Sequence, residues 1–142
     1  MLTKLPSAWF AGLRIEKLTT EEAVVSVRYK WFNKNPFRSI YVAVLSMPSE
    51  VSTGILCMAA LYKRNPAVSM LVVKSDGQYY KKAVGKIMFT CSDGKAINAA
   101  VEQAIATGES TTINCYTAGT NEQGEVVADF HFMWSFKVKV SK

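Results

Sequence analysis

A chain of 142 residues with 49% hydrophobic and 20% charged side chains has an ordinary globular composition, long enough to bury a core without disulfide or metal staples. Its three cysteines, Cys57, Cys91 and Cys115, are widely spaced and odd in number, which argues against a disulfide framework or a zinc site and for free thiols in a reducing cytoplasm. A formal charge of +6 and a pI near 9.3 suit an anionic partner, such as a nucleotide-bearing cofactor, an acidic carrier protein or nucleic acid, without choosing among them.

The opening MLTKLPSAWFAGL lacks an apolar run of signal-peptide length, so no secretion signal is expected. Within it, Ser7 to Leu13 predicts a helical turn after Pro6, a lid over one end of the core. Leu13 to Leu18 predicts a first strand, and Thr19 to Glu22 a polar turn. In the second strand Val25, Val27, Tyr29 and Trp31 share one face and Ser26, Arg28 and Lys30 the other, a period of two. A loop from Phe32 to Arg38 follows.

The segment from Ser39 to Tyr62 is apolar on nearly every face. As a helix it reaches about 36 Å at 1.5 Å per residue, and all of its sides need covering. Its length and hydropathy approach those of a membrane span. Glu50, Pro48 and several small hydroxyl residues argue instead for a buried central helix carrying a single carboxylate. Pro48 deletes a backbone donor and predicts a kink, or a helix in two pieces, just before Glu50. Asn65-Pro66 ends the helix.

Val68 to Lys74 predicts a third strand, Asp76-Gly77 a hairpin turn, and Tyr79 to Cys91 a fourth strand with a bulge or close contact at Gly85. Ser92-Asp93 can cap a second helix running to about Thr107. There Ile97, Ala100, Val101, Ala104 and Ile105 form one stripe, and Gly108 is a natural stop. Thr111 to Ala118 is the fifth strand, and Thr120 to Gly124 a turn. The last strand, Val126 to Val140, alternates cleanly. Ala128, Phe130, Phe132, Trp134, Phe136, Val138 and Val140 face one way; Asp129, His131, Ser135, Lys137 and Lys139 face the other. The expected architecture is a single α+β domain over residues 1–142, a curved antiparallel sheet wrapped around one long helix with an extra surface helix.

With this element order the sequence resembles the hot-dog fold family, in its acyl-CoA thioesterase-like branch related to phenylacetyl-CoA thioesterases. Within it the chain is most similar to a poorly characterised group of stand-alone bacterial proteins. The resemblance runs from about Ser7 to Val140. Family members carry an asparagine, a short gap, His-Gly-Gly at the start of the central helix, and an acid further along. Asn35 matches the asparagine and Glu50 the acid, while Tyr41-Val42-Ala43 stands where His-Gly-Gly would be. Relatives prefer glycine near Arg38.

The resemblance implies thioester hydrolysis. Glu50 would act as general base or nucleophile, its pKa raised by burial. Asn35 braces the loop or touches substrate, and Tyr41 donates a hydrogen bond or serves an interface. The amides of Val42 and Ala43 at the helix N-terminus would polarise the carbonyl. Arg38 and Lys82, with Lys81, Lys86, Lys137 and Lys139, are candidates for the phosphates of coenzyme A, which enters as part of the substrate; no other cofactor and no metal is expected. His131, the sole histidine, has Asp129 two residues away on the same face, and a structural or solvent-facing role is expected for both.

The expected substrate is an acyl-CoA or an acyl-carrier thioester. The alternative is a non-catalytic module binding a fatty-acyl or other apolar ligand. Neither nucleic acid nor membrane is expected as a partner. A single narrow sheet cannot seal such a helix, so a homodimer or a dimer of dimers is expected.

Overall fold

A computed structural model describes residues 4–139 of the chain. Six strands form one antiparallel sheet: β1 (Arg14–Leu18), β2 (Ala23–Arg28), β3 (Val68–Tyr79), β4 (Lys86–Cys91), β5 (Thr111–Thr120) and β6 (Val126–Val138). Their order across the sheet is β1-β2-β4-β5-β6-β3. The helices are α1 (Pro6–Ala11), α2 (Val42–Leu61) and α3 (Gly94–Thr107). The alternation of β6 becomes the inner wall directly: Ala128, Phe130, Phe132, Trp134 and Phe136 are buried. Against that wall lies α2, which touches β2, β3, β4, β5 and β6 as well as α1 and α3. This is the hot-dog fold, a sheet wrapped around one long helix.

By length and composition alone, α2 is long and apolar enough to cross a membrane. Here it is the core helix. Its small hydroxyls are absorbed locally, because Ser49, Ser52 and Thr53 each donate to the carbonyl three residues back. Ser52 Oγ also shares a 2.7 Å hydrogen bond with Thr117 Oγ1 on β5, tying helix to sheet. Covered beneath α3 by Ile97, Val101 and Ala104, the helix keeps almost no solvent face over its middle turns. α3 ends at Gly108, whose left-handed backbone (φ 72°) lets its N–H reach the Ala104 carbonyl.

Four local expectations are corrected. The helix is continuous through Pro48, so of the kink and the two-piece helix expected there the second does not occur. Pro48 sits in the second turn, so its missing N–H forfeits a single bond, and packing on every side holds the rest. Asp76-Gly77 is not a hairpin: β3 runs straight through it, with Asp76 opposite His131 and Gly77 opposite Phe130. A Cβ on Gly77 would lie 2.3 Å from the Phe130 ring, so glycine is there to admit that ring. The fourth strand accordingly begins only at Lys86, and Gly85 precedes it in a left-handed loop conformation (φ 74°). The second strand ends at Arg28, and Trp31 projects to solvent from a 3-10 turn at Trp31–Asn33. Buried Asn33 closes that turn, its Nδ2 donating to the carbonyls of Ala11 (2.8 Å) and Arg28 (2.9 Å). The expected inward face of Val140 lies outside the described residues.

Gly77→Ala is expected to destabilise the protein by about 1–3 kcal/mol, the range for forcing extra volume into a packed core. A turn glycine would instead be read out as sensitivity to backbone conformation. Denaturant unfolding of Gly77→Ala alongside Phe130→Leu with Gly77→Ala distinguishes them: relief by the smaller partner identifies the ring as the cause.

Candidate active site

Glu50 lies in the middle of α2, where the helix rotates its side chain toward the β1–α1 side of the core. It is the one carboxylate of that helix, which carries no lysine, arginine or histidine. Among the described residues its carboxylate has neither hydrogen-bond nor ion-pair partner, and it is half-buried. Burial raises its pKa above the ordinary carboxylate range. It lines a cavity of about 420 Å³ with Lys4, Leu5, Ile15, Gly54, Met58 and Trp134, among others, a mainly apolar wall. A smaller adjoining hollow, between the start of α1 and the Met47–Val51 turn of α2, also ends on Glu50.

The wall beside the carboxylate is braced. Trp134 Nε1 donates to Thr53 Oγ1 at 2.9 Å, and Thr53 Oγ1 donates to the Glu50 carbonyl at 2.9 Å. Gly54 faces the gap between them. A Cβ there would stand 3.2 Å from the indole and 3.4 Å from Glu50 Oε1. Glycine in mid-helix costs roughly 1 kcal/mol relative to alanine, and here it leaves the carboxylate room beside the ring. Trp134, Thr53 and Gly54 escape sequence reading: alternation assigns Trp134 to the core, and only packing places its ring edge next to the acid.

The start of α2 is built from the preceding loop. Asn35 Oδ1 accepts from the N–H groups of Phe37 (2.9 Å) and Ser39 (3.2 Å), and its Nδ2 donates to Ser39 Oγ at 3.0 Å. The Tyr41 N–H donates to the Asn33 carbonyl at 2.7 Å, while the Tyr41 ring is exposed. No side chain caps the helix. The N–H groups of Val42 and Ala43 have no acceptor among the described residues, so two donors and the positive end of the dipole face outward.

Val42, Asn35 and Lys82 line a second cleft of about 360 Å³ with Tyr79, Tyr80 and Lys81. Lys82 Nζ donates to the Phe37 carbonyl at 3.4 Å. A third hollow, beside Tyr29 and Lys34, takes Arg38, whose backbone is left-handed (φ 60°). Lys81 is paired with Glu125 and Lys86 with Glu16. Lys137 lies on the sheet's outer face, and both it and Lys139 are exposed near the end of the described chain, away from either cleft.

The two halves of the expected site do not meet within one chain. Eight residues separate Val42 from Glu50, about 12 Å of helix rise, and their cavities share no lining residue. Asp129 and His131 lie on the outer face of the sheet and line neither cavity. Asp129 accepts from the hydroxyls of Tyr80 and Tyr116, and His131 Nδ1 is buried without a partner among the described residues. The cysteines are buried and free. Burial pushes Cys91 up to about 12, and the hydrogen bond with Cys57 together with burial raises Cys115 further, so both remain protonated. Among the described residues no group of three or more His, Cys, Asp or Glu could hold a metal ion.

The family described as a domain of unknown function (DUF4442) matches residues 1–136. No curated protein matches the chain. Among solved structures, a Pseudomonas aeruginosa protein of unknown function, described as a probable thioesterase, is 22% identical with a TM-score of 0.86, over 97% of this chain and 91% of that one. A Chlorobaculum tepidum protein of unknown function is 16% identical with a TM-score of 0.83, over 96% and 89%. A Haemophilus influenzae thioesterase is 9% identical with a TM-score of 0.68, over 95% and 85%. At these identities the likeness establishes the shared fold.

Proposed function

On the premise that the chain belongs to the DUF4442 family, we propose that it hydrolyses acyl thioesters, of coenzyme A or of an acyl carrier, in a site shared between two copies. The observation that carries this reading is Glu50: a half-buried carboxylate with no partner among the described residues, on the wall of an apolar cavity, its pKa raised by burial. The acyl group fills that cavity, and the free N–H groups of Val42 and Ala43 from the other copy donate to the carbonyl oxygen. Glu50 takes a proton from water as it attacks the carbonyl carbon. The tetrahedral oxyanion collapses, the carbon–sulfur bond breaks, and Glu50 returns the proton to the departing thiolate, giving acid and thiol. The relatives described as thioesterases support the reaction class.

A second copy supplies what one chain lacks. β3 is bonded only to β6, leaving a twelve-residue edge with exposed Leu71 and Val73. Joining two such edges continues the sheet and sets each Glu50 toward the partner's helix start. The assembly is a homodimer or a dimer of dimers, acting in the cytoplasm, and Asn35, Tyr41, Arg38 and Lys82 lie on the helix-start side where the coenzyme A or carrier arm would pass.

The test is thiol release from a panel of acyl-CoA substrates. Turnover of an apolar acyl group is expected, and none across the panel would overturn hydrolysis. A co-purified acyl ligand found by native mass spectrometry, with no turnover, would favour the non-catalytic binding module, which the side chains of Tyr41-Val42-Ala43 at the helix start also suit. Gly54→Ala is expected to raise KM for long or bulky acyl groups several-fold more than for short ones, because the new methyl group enters the gap beside Trp134 and Glu50. A uniform loss across chain lengths would place Gly54 outside the acyl pocket.

A further inference from the structure

The net charge is not spread over the molecule. Residues 4–14 and 28–42 contain Lys4, Arg14, Arg28, Lys30, Lys34 and Arg38 and no acidic residue. The other 11 cations and the 11 acids of the chain cancel, so the whole excess of +6 lies in these two segments. All six cations are exposed, and none is ion-paired among the described residues.

The fold brings the two segments together as one corner. Asn33 of the 3-10 turn is bonded to the last residue of α1, and Lys30 Nζ donates to the Phe10 carbonyl at 3.2 Å. On that corner stand four large aromatic side chains: Trp31 is 78% exposed, Phe10 54%, Phe32 53% and Trp9 49%. Trp9 meets Phe10 edge-to-face at 5.1 Å, and Phe10 lies 6.4 Å from Phe32, so three of the rings form a connected patch and Trp31 stands beside Phe32 in the chain.

We propose that this corner docks on an anionic lipid surface, Trp9, Phe10, Trp31 and Phe32 entering the headgroup region while the surrounding lysines and arginines meet lipid phosphates and carboxylates. Tryptophan and phenylalanine rings with a basic rim are what the membrane–water interface retains, and the charge complements an acidic leaflet. A second copy fits less well, because a twofold contact would press the same unpaired cations together. The patch also leads to the cavity: Lys4 and Leu5, just before α1, line the hollow at Glu50. An anionic membrane surface is a partner that the sequence alone does not lead one to expect. It stands independently of thioester hydrolysis.

The test is flotation of the full chain with phosphatidylcholine vesicles, with and without phosphatidylserine. Binding is expected only with phosphatidylserine, reversed by high salt, with a blue shift of the emission of exposed Trp9 and Trp31. Lys30→Gln with Lys34→Gln should weaken partitioning roughly fivefold per lysine. Trp31→Ser with Phe32→Ser, both on a surface turn, should weaken it roughly tenfold or more while leaving the circular dichroism spectrum unchanged. No binding by the natural chain at low salt, or undiminished binding by the Trp31/Phe32 variant, would overturn the proposal. Conversion of a dimer to monomers by that variant would place a second copy on the corner, and binding of single-stranded DNA without vesicle binding would place nucleic acid there; either result overturns it too.

Discussion

Glu50→Gln is expected to lower thioester turnover by roughly 10²–10⁴-fold, the usual contribution of a positioned general base. It should also make the protein more stable at neutral pH. Burial raises the Glu50 pKa in the folded chain, so the folded state holds that proton more tightly than the unfolded state. Stability therefore falls as pH rises from the unfolded carboxyl range up to the raised folded value. The amide has no such loss. The Tm difference between variant and natural chain should be largest above the raised folded pKa and shrink toward zero in acid, where both side chains are neutral. The natural enzyme's kcat should climb with pH through the raised pKa, and that limb should vanish in the variant. A carboxylate held by an undetected cation would behave oppositely, with Glu50→Gln destabilising at neutral pH. Thermal unfolding and a pH–rate profile on the same preparations decide the matter, and unchanged turnover would dismiss the catalytic role.

The second large effect concerns the helix start. Proline is well accepted at the first helical position, where the N–H has no intrahelical partner. Tyr41 before it already has φ −57° and ψ 130°, a conformation compatible with a following proline. Val42→Pro should therefore fold with little change in Tm while deleting one of the two free amides. Loss of one oxyanion donor typically lowers kcat by about 10²–10³-fold. Because Glu50 and the helix start open to different cavities within a chain, two inactive variants should rescue one another. Co-refolding Val42→Pro with Glu50→Gln in equal amounts puts an intact Glu50 opposite an intact Val42 at one site of each mixed dimer. Recovery of about a quarter of natural activity is expected for a twofold assembly. Mixtures that stay inactive, or a folded monomer in sedimentation equilibrium at micromolar concentration, would remove the shared site.

Several levels of this molecule are legible without coordinates. Apolar character on nearly every face from Ser39 to Tyr62 can be satisfied only by cover on all sides, and α2 is the central helix. Strict alternation over β6 makes a one-residue slip so unfavourable that its inner and outer faces can be named in advance. The Ile97–Ala104 stripe places α3 in the same way. Glu50 stands out because a lone carboxylate in such a helix demands an explanation.

What the tertiary structure decided are the matters that depend on residues far apart in sequence. Asp76-Gly77 carries the chemistry of a turn, yet Phe130, more than fifty positions later, makes it a strand by needing the space that a side chain would fill. Trp31 continues a period of two but leaves the sheet, because Asn33 closes a turn against Ala11 and Arg28. Trp134 satisfies the core pattern and also borders the acid, since Gly54 and Thr53 of another element meet it there. Nothing local joins the cations of residues 4–14 to those of residues 28–42; packing of α1 on the 3-10 turn does. A sequence pattern states which face of an element is buried, because burial follows from the side chains themselves. Which neighbour buries it, and what chemistry that neighbour brings, is set by long-range packing alone.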